Sequence, residues 1–216
     1  ANKLAEITPE GIDTFYFGST SDEIVEASVK LAKHATGRRN VIAFDGAFHG
    51  RTHYALAMSS SRAIDRAGYG PLPGSVFIAP FPDPHSSDQE REVSRALRGL
   101  DRVLSTQVAS EQVAAFVIEP VIGERGYIPT PKGFMEGLAH RCEEHGILLI
   151  ADETQSGFGR TGKMFAIEAL GVQPDIICMA KGISSGFPFA AIGTRRALDE
   201  QWVTGSHSGS SNGNPI

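Results

Sequence analysis

Two short apolar runs in the second half of the chain each end in an ionisable residue, and this arrangement most restricts the fold. Residues 147–151 are followed by Asp152, and residues 176–180 are followed by Lys181. Runs of this kind are typical of strands buried on both faces of a parallel sheet. The carboxyl ends of parallel strands meet at one edge, where ligands bind. We therefore expect Asp152 and Lys181 to lie near each other at that edge.

A lysine beside a carboxylate suits pyridoxal 5'-phosphate in particular. A lysine amine forms a Schiff base with the aldehyde of this cofactor, and an acid facing the pyridine nitrogen keeps it protonated, so that the ring accepts electrons. Simpler interpretations exist, because an Asp after a strand often caps the next helix and a Lys at a strand end is usually a solvated charge. The pair alone leaves these alternatives open.

The residues around the pair carry a family resemblance. The segments DETQSGFGRTGKMFA, residues 152–166, and PDIICMAKG, residues 174–182, resemble the signature of the class III aminotransferases. This ω-amino acid group includes the ornithine, acetylornithine and 4-aminobutyrate aminotransferases. The resemblance implies that Asp152 faces the pyridinium nitrogen, that Gln155 bonds to the ring hydroxyl, and that Lys181 is the Schiff-base lysine.

Strand-like and helical patterns alternate along the chain, which predicts an α/β fold with a mostly parallel sheet and helices on both faces. The predicted strands are residues 15–17, 41–44, 76–79, 114–118, 147–151, 176–180 and 190–193. The predicted helices are residues 22–35, about 88–106, and 131–145, the last with Thr130 as N-cap and Pro131 as its first residue. The resemblance implies the large domain of the fold type I transferases that depend on pyridoxal 5'-phosphate.

We expect residues 1–216 to form one cofactor-binding large domain, since the chain is long enough for a single large core. The first residues have the pattern of a helix end, and the last form a polar loop before an Asn-Pro pair. We therefore predict that both ends are cut. The resemblance agrees, because family members carry an N-terminal segment and a C-terminal small domain around this region.

Composition argues against several classes of partner. A net charge of −5 without a basic block disfavours nucleic acid. No apolar run has the length of a membrane span, and the first residues lack a signal-peptide core. Cys142 and Cys178 provide no disulfide framework and lie in apolar segments typical of buried thiols, which fits a reducing, cytoplasmic setting. The histidines show no metal-ligand spacing, and no metal is predicted.

The segment STSDEIVE, residues 19–26, opens a helix directly after an aromatic strand. Free N–H groups at such a start can bind phosphate. The family has S-G-(T/A/S)-(E/D)-A here, so Ser21 falls on its Gly and Asp22 on its small residue. Both are predicted cofactor contacts, with the Asp22 carboxylate turned outward because it would repel the phosphate. A capping motif without a ligand is the alternative.

The segment FHGRT, residues 48–52, matches the family almost letter for letter. An aromatic ring here could lie flat on a pyridine ring, and an Arg three residues later could bind a carboxylate with two N–H groups. The resemblance implies these roles for Phe48 towards the cofactor and for Arg51 towards the substrate carboxylate. His49 is expected to be a structural histidine behind them.

Glu119 follows the apolar run of residues 114–118, and Glu124 comes five residues later. Two carboxylates near a strand end could act as acid and base, although a loop with solvated charges is more common. Resemblance to the family's EP-x-x-GEGGY implies that Glu119 lies near the cofactor and that Glu124 pairs with an Arg of the small domain. Arg125 stands where the family has Gly, and two roles are open to it: reaching Glu124 or narrowing the substrate entrance.

The segment HSGSSNGNP, residues 207–215, resembles the family loop HG(S/G)TYGGNP. Ser210 falls on a Thr that donates to the cofactor phosphate of the neighbouring subunit, which implies a homodimer with shared active sites. Ser211 and Asn212 replace Tyr and Gly, and Thr154 replaces a Val under the ring. We therefore expect a more polar pocket than the family usually has.

Together these motifs predict an aminotransferase that transfers an amino group from an ω-amino acid or a diamine to a 2-oxo acid, with catalysis by Lys181 and Asp152. Three alternatives remain at this point. The first is an aminomutase or decarboxylating relative of the same fold, and the second is a catalytically impaired remnant that still binds the cofactor. The third, a generic phosphate-binding module, is disfavoured because it has no need of Asp152 and Lys181 at one edge.

Overall fold

A computed structural model describes residues 1–212, and a seven-stranded sheet forms its centre. The strands in chain order are β1 (Thr14–Gly18), β2 (Asn40–Phe44), β3 (Val76–Ala79), β4 (Val113–Ile118), β5 (Val121–Ile122), β6 (Ile128–Pro129), β7 (Leu148–Asp152), β8 (Ile176–Met179) and β9 (Ala190–Thr194). The α-helices are α1 (Asn2–Ala5), α2 (Ser21–Thr36), α3 (His53–Met58), α4 (Ala63–Arg66), α5 (Gln89–Thr106), α6 (Lys132–His145) and α7 (Arg196–Asp199). Short 3₁₀ helices cover Ser110–Gln112, Ala166–Leu170 and Lys181–Ser184.

The central sheet has the strand order β1-β9-β8-β7-β4-β2-β3. Strand β9 pairs antiparallel with both of its neighbours, β1 and β8, while the pairs from β8 to β3 are parallel. Strands β5 and β6 form a separate hairpin. The predicted α/β fold with a mostly parallel sheet is confirmed, and each of the seven predicted strands is present with ends that differ by at most one residue.

The sheet separates two apolar layers, so the helices cover both of its faces. Side chains of α2 pack against one face, and side chains of α5 and α6 pack against the other. Alternate residues of β4 reach opposite layers, as the pleat of a strand requires. Ala115 and Val117 lie on the α2 side, whereas Phe116 and Ile118 lie on the α5 and α6 side. Burial on both faces explains why the central strands are continuous apolar runs.

The predicted start of the third helix is wrong by one residue. Pro131 is the N-cap of α6, and no side chain caps this helix. Thr130 is buried, and its hydroxyl donates to the carbonyl oxygen of Glu119 at 2.9 Å. That carbonyl group lies at the buried end of β4 and needs a donor, so it takes the hydroxyl that would otherwise cap the helix.

Both cysteines are buried and unpaired, as predicted. Within residues 1–212, no helix combines the length and the apolar character that crossing a membrane requires.

Gly193 in β9 provides a test of the packing. A Cβ at this position would lie 2.7 Å from Ile12 Cγ2 and 2.9 Å from Phe15 Cε1. We predict that Gly193→Ala lowers the free energy of unfolding by about 1–3 kcal/mol through overpacking, measured by denaturant titration of the complete protein. The control is Gly74→Ala, where an added Cβ meets nothing within 4 Å. Equal stability of the two variants would contradict the described packing around β9.

Candidate active site

The pairing of β7 with β8 places Asp152 and Lys181 at the same edge of the sheet. The two strands are parallel neighbours in which Asp152 lies opposite Cys178, and Lys181 follows three residues after Cys178. Both residues line one cavity of about 60 Å³. The lining residues are Ser21, Phe48, His49, Gly50, Glu119, Glu124, Asp152, Thr154, Gln155 and Lys181. The structure therefore brings together residues from five separate segments of the chain.

His49 forms the closest contact of the Asp152 carboxylate. Nδ1 of His49 lies 2.8 Å from Oδ2 of Asp152, and the two side chains are 0% and 3% exposed. Oδ1 of Asp152 accepts the N–H of Thr154 at 3.1 Å. Burial by itself lowers the pKa of His49, but the hydrogen bond and charge of Asp152, together with the charge of Glu119, outweigh burial and raise it. This contact was not predicted from the sequence, where the place of His49 within FHGRT was its one signal.

Glu119 ties the FHGRT segment to the end of β4. Oε1 accepts the N–H of Phe48 at 2.7 Å, and Oε2 accepts the N–H of Gly123 at 3.0 Å. Burial raises the pKa of Glu119 to about 7; the positive charge of His49 opposes this rise, and the negative charge of Asp152 adds to it. The carboxyl group therefore carries a proton far more readily than an exposed Glu.

Lys181 has an unusual backbone conformation. Its φ is +49°, in the left-handed region that residues with a Cβ rarely adopt. Backbone strain of this kind is concentrated at functional sites, where the surrounding structure holds it in place. The exposed Lys181 side chain also lines a neighbouring cavity of about 390 Å³, together with Gln155. Lys181 therefore borders both the small cavity and the larger one beside it.

The start of α2 separates two residues that were predicted to act together. Ser21 lines the small cavity, whereas Asp22 does not. The Asp22 carboxylate accepts the N–H of Arg51 at 2.8 Å and that of Thr52 at 3.2 Å. Asp22 thus holds the backbone at the end of FHGRT, and its charge is satisfied there rather than at the helix start.

Three further predicted residues lie outside the small cavity. Arg51 Nη1 is 3.0 Å from Asp65 Oδ1. Arg125 Nη1 is 3.0 Å from Asp45 Oδ2, so its ion pair is with Asp45 and not with Glu124. Ser210 is exposed in the turn near the end of the described chain, and residues 213–215 of the same motif lie outside the described residues.

The entire chain, residues 1–216, matches the family model described as aminotransferase class-III. The chain belongs to the class III aminotransferases. The Escherichia coli 4-aminobutyrate aminotransferase GabT is 44% identical to it over 198 residues, which are 92% of this chain and 46% of that protein. The chain thus spans about half the length of the curated relatives it matches.

Solved structures of transaminases share the fold. An (S)-enantioselective omega-transaminase from Thermomicrobium roseum superposes with a TM-score of 0.90 at 31% identity, over 98% of this chain and 50% of the other. An amine transaminase from an uncultivated Pseudomonas species, solved in its PLP-bound form, has a TM-score of 0.89 at 26% identity, over 99% of this chain and 51% of the other. Class III aminotransferases are pyridoxal 5'-phosphate enzymes.

The residues of the small cavity fit that cofactor. Among residues 1–212, His49 Nε2 and Thr154 Oγ1 are buried polar atoms without a hydrogen-bond partner. Buried polar atoms of this kind cost free energy unless a ligand or water satisfies them. The cavity volume of about 60 Å³ corresponds to roughly two water molecules. Gln155 and Lys181 line both this cavity and the larger one beside it, so a cofactor larger than the small cavity would need these two side chains to move.

The raised pKa of Glu119 predicts a pH-dependent contribution to stability. Its pKa is about 7 in the folded protein and 4.5 ordinarily, so between these values the folded state binds more protons than the unfolded state. Its stabilising contribution is present below pH 4.5 and is lost as the pH rises through 7. In cofactor-free protein, the wild type loses this contribution between pH 4.5 and pH 7, whereas Glu119→Gln does not. We therefore expect the unfolding free energy of Glu119→Gln minus that of the wild type to rise by about 3 kcal/mol over this pH range.

The control for this titration is Glu136→Gln, which changes an exposed glutamate that pairs with Lys132 on the surface of α6. The stability difference between Glu119→Gln and wild type should change more across the same pH range than that of this control. An equal change for the two variants would show that the Glu119 pKa is not raised.

Proposed function

We propose that residues 1–216 form the cofactor-binding large domain of an aminotransferase that depends on pyridoxal 5'-phosphate. The enzyme transfers an amino group from an ω-amino acid or diamine donor to a 2-oxo acid. The observation that carries this proposal is the cavity whose wall contains both the buried Asp152 carboxylate and the Lys181 amine. Membership of the class III aminotransferases and the transaminase structures of the same fold support it.

Asp152 is the partner of the pyridine nitrogen in this proposal. When bound, the cofactor supplies an electron sink that lets the substrate carbon lose a proton. Asp152 keeps the pyridine nitrogen protonated, because a buried carboxylate strongly favours a neighbouring positive charge. The bonds from His49 and from the Thr154 N–H hold the carboxylate in one orientation. His49 is thus a positioning residue that acts through Asp152.

Lys181 has two tasks. Its Nζ atom would hold the cofactor covalently, and as a free amine it would take up the proton that leaves the substrate carbon. A lysine at the cavity wall with an exposed side chain is suited to both, since the amine must leave its bound position and still remain close.

The other predicted site residues have the following roles in this proposal. Phe48 would stack on the ring and Gln155 would bond to the ring hydroxyl, while Glu119 holds the Phe48 segment in place. Ser21 and the N–H groups at the start of α2 bind the phosphate, with Asp22 fixing the adjacent loop, and Glu124 lies at the substrate entrance.

Arg51 binds the substrate carboxylate. Ser210 serves the phosphate of the neighbouring subunit in a cytoplasmic homodimer, and its exposed position outside the cavity fits a contact between subunits.

The Lys181 assignment predicts a loss of covalent attachment. In the complete protein, Lys181→Ala should still bind the cofactor but form no adduct that borohydride reduction fixes to the protein, as measured by mass spectrometry. Lys163→Ala, which removes an exposed lysine of the neighbouring segment, should leave the adduct unchanged. An adduct that persists in Lys181→Ala would assign the role to another lysine.

The Asp152 assignment predicts a chemical rather than a structural defect. Asp152→Asn should retain the circular-dichroism spectrum of the wild type. The half-reaction with the amino donor should slow by on the order of a hundredfold, because a neutral amide cannot stabilise the protonated pyridine nitrogen. Stopped-flow absorbance measures this rate. A wild-type rate would mean that Asp152 serves only to bind His49 and the Thr154 N–H at the end of β7.

A further inference from the structure

We propose that Asp65 sets the affinity of this protein for substrates that carry a carboxylate. Asp65 holds the guanidinium group of Arg51 in an internal ion pair, and the carboxylate of a substrate has to take its place. The inference rests on the proposed function, because it takes Arg51 as the residue that binds the substrate carboxylate.

Asp65 is enclosed by two guanidinium groups. Its Oδ1 lies 3.0 Å from Arg51 Nη1 and 3.1 Å from Arg62 Nη2, and its Oδ2 lies 3.0 Å from Arg62 Nε. The Asp65 side chain is only 6% exposed, whereas those of Arg51 and Arg62 are 59% and 51% exposed. The hydrogen bond from Arg62, followed by that from Arg51, lowers the pKa of Asp65 despite its burial. The carboxylate is therefore a permanent negative charge beneath two exposed cations.

The two arginines are held unequally. Arg62 bonds both oxygens of Asp65, while Arg51 bonds one of them through a single N–H group. A carboxylate gains most from a guanidinium group when two N–H groups bond in parallel. A substrate carboxylate that binds Arg51 through two N–H groups can thus replace the single bond to Asp65, and Arg62 keeps Asp65 neutralised after the exchange.

Arg51 contacts both Asp65 and a residue that lines the active site. Its guanidinium carbon is 5.2 Å from the centre of the Phe48 ring, and Phe48 lines the cavity with Asp152 and Lys181. The Arg51 backbone is held by the bond from its N–H to Asp22. The exchange therefore needs a rotation of the Arg51 side chain about a fixed backbone, and the rest of the site stays in place.

Competition of this kind lowers the apparent affinity for carboxylates without changing the chemistry. The apparent dissociation constant equals the intrinsic one divided by the fraction of protein in which Arg51 is free. Ion pairs with an exposed partner are weak. Loss of the pair between Arg51 and Asp65 should therefore change the apparent dissociation constant of a carboxylate by about twofold to fivefold. Donors without a carboxylate do not need Arg51, so Asp65 should leave their affinity unchanged.

The test compares donors with and without a carboxylate in the complete, cofactor-loaded protein. For Asp65→Asn, we expect the KM for 4-aminobutyrate, the substrate named for the E. coli relative, to fall about twofold to fivefold. The KM for the diamine putrescine should not change. Arg62→Gln should act in the opposite direction and raise the KM for 4-aminobutyrate. In this variant Asp65 has lost its bonds to Arg62, so it should bind Arg51 more strongly.

The matched control is Asp101→Asn, which removes the same charge from an exposed ion pair with Arg141 between α5 and α6. It should change neither KM. A second measurement avoids turnover: the dissociation constant of butyrate, which has no amine to transfer, is measured by NMR titration of cofactor-loaded and cofactor-free protein. Asp65→Asn should lower it by the same factor as the KM.

The outcomes separate this inference from the proposed function. Unchanged butyrate affinity in Asp65→Asn, or an equal effect of Asp101→Asn, would overturn the role of Asp65 even if the protein is an active aminotransferase. If Asp65→Asn does not fold, Arg62→Gln decides, since an unchanged or lower dissociation constant for butyrate would overturn the role. Absence of amine transfer from every donor would refute the proposed function, while butyrate binding would still decide the role of Asp65.

Discussion

The parallel pairing of β7 with β8 is the constraint on which the rest of the site depends. Parallel neighbours need a long crossover connection, and here that connection leaves from Asp152 and returns into β8. Because both strands are fully covered by helices, a shift of register by one residue would turn apolar side chains away from their layer. The register therefore fixes the position of Asp152 relative to Lys181 as strictly as it fixes the core.

Burying this site has an energetic cost that the structure meets with hydrogen bonds. Asp152, His49 and Glu119 are at most 5% exposed. Burial of any of them as an unpaired charge would cost several kcal/mol of folding free energy. Asp152 bonds His49 and the Thr154 N–H, and Glu119 bonds two backbone N–H groups. His49 Nε2 and Thr154 Oγ1, two of the four buried polar side-chain atoms without a partner among the described residues, belong to residues that line the cavity. The site is thus prepared for a polar ligand before one binds.

Several positions where this chain departs from the family pattern have a local partner in the structure. Asp22, in place of a small residue, holds the N–H groups of Arg51 and Thr52. Arg125, in place of Gly, pairs with Asp45 on the neighbouring loop. Both side chains form these contacts on segments beside the cavity, and neither of them lines it.

The sequence by itself determined the strands, the long helices and the edge at which Asp152 and Lys181 meet, because these follow from apolar periodicity and from the geometry of parallel strands. The short helices α3 and α4 and the hairpin of β5 and β6 were not predicted, since each is too short for a periodic pattern. Only the tertiary structure decided the polar partners. His49 and Asp152 are 103 positions apart, Thr130 donates to Glu119 rather than capping α6, and Arg51 bonds Asp65. A charged or polar side chain can reach many acceptors, and packing of distant segments selects one of them.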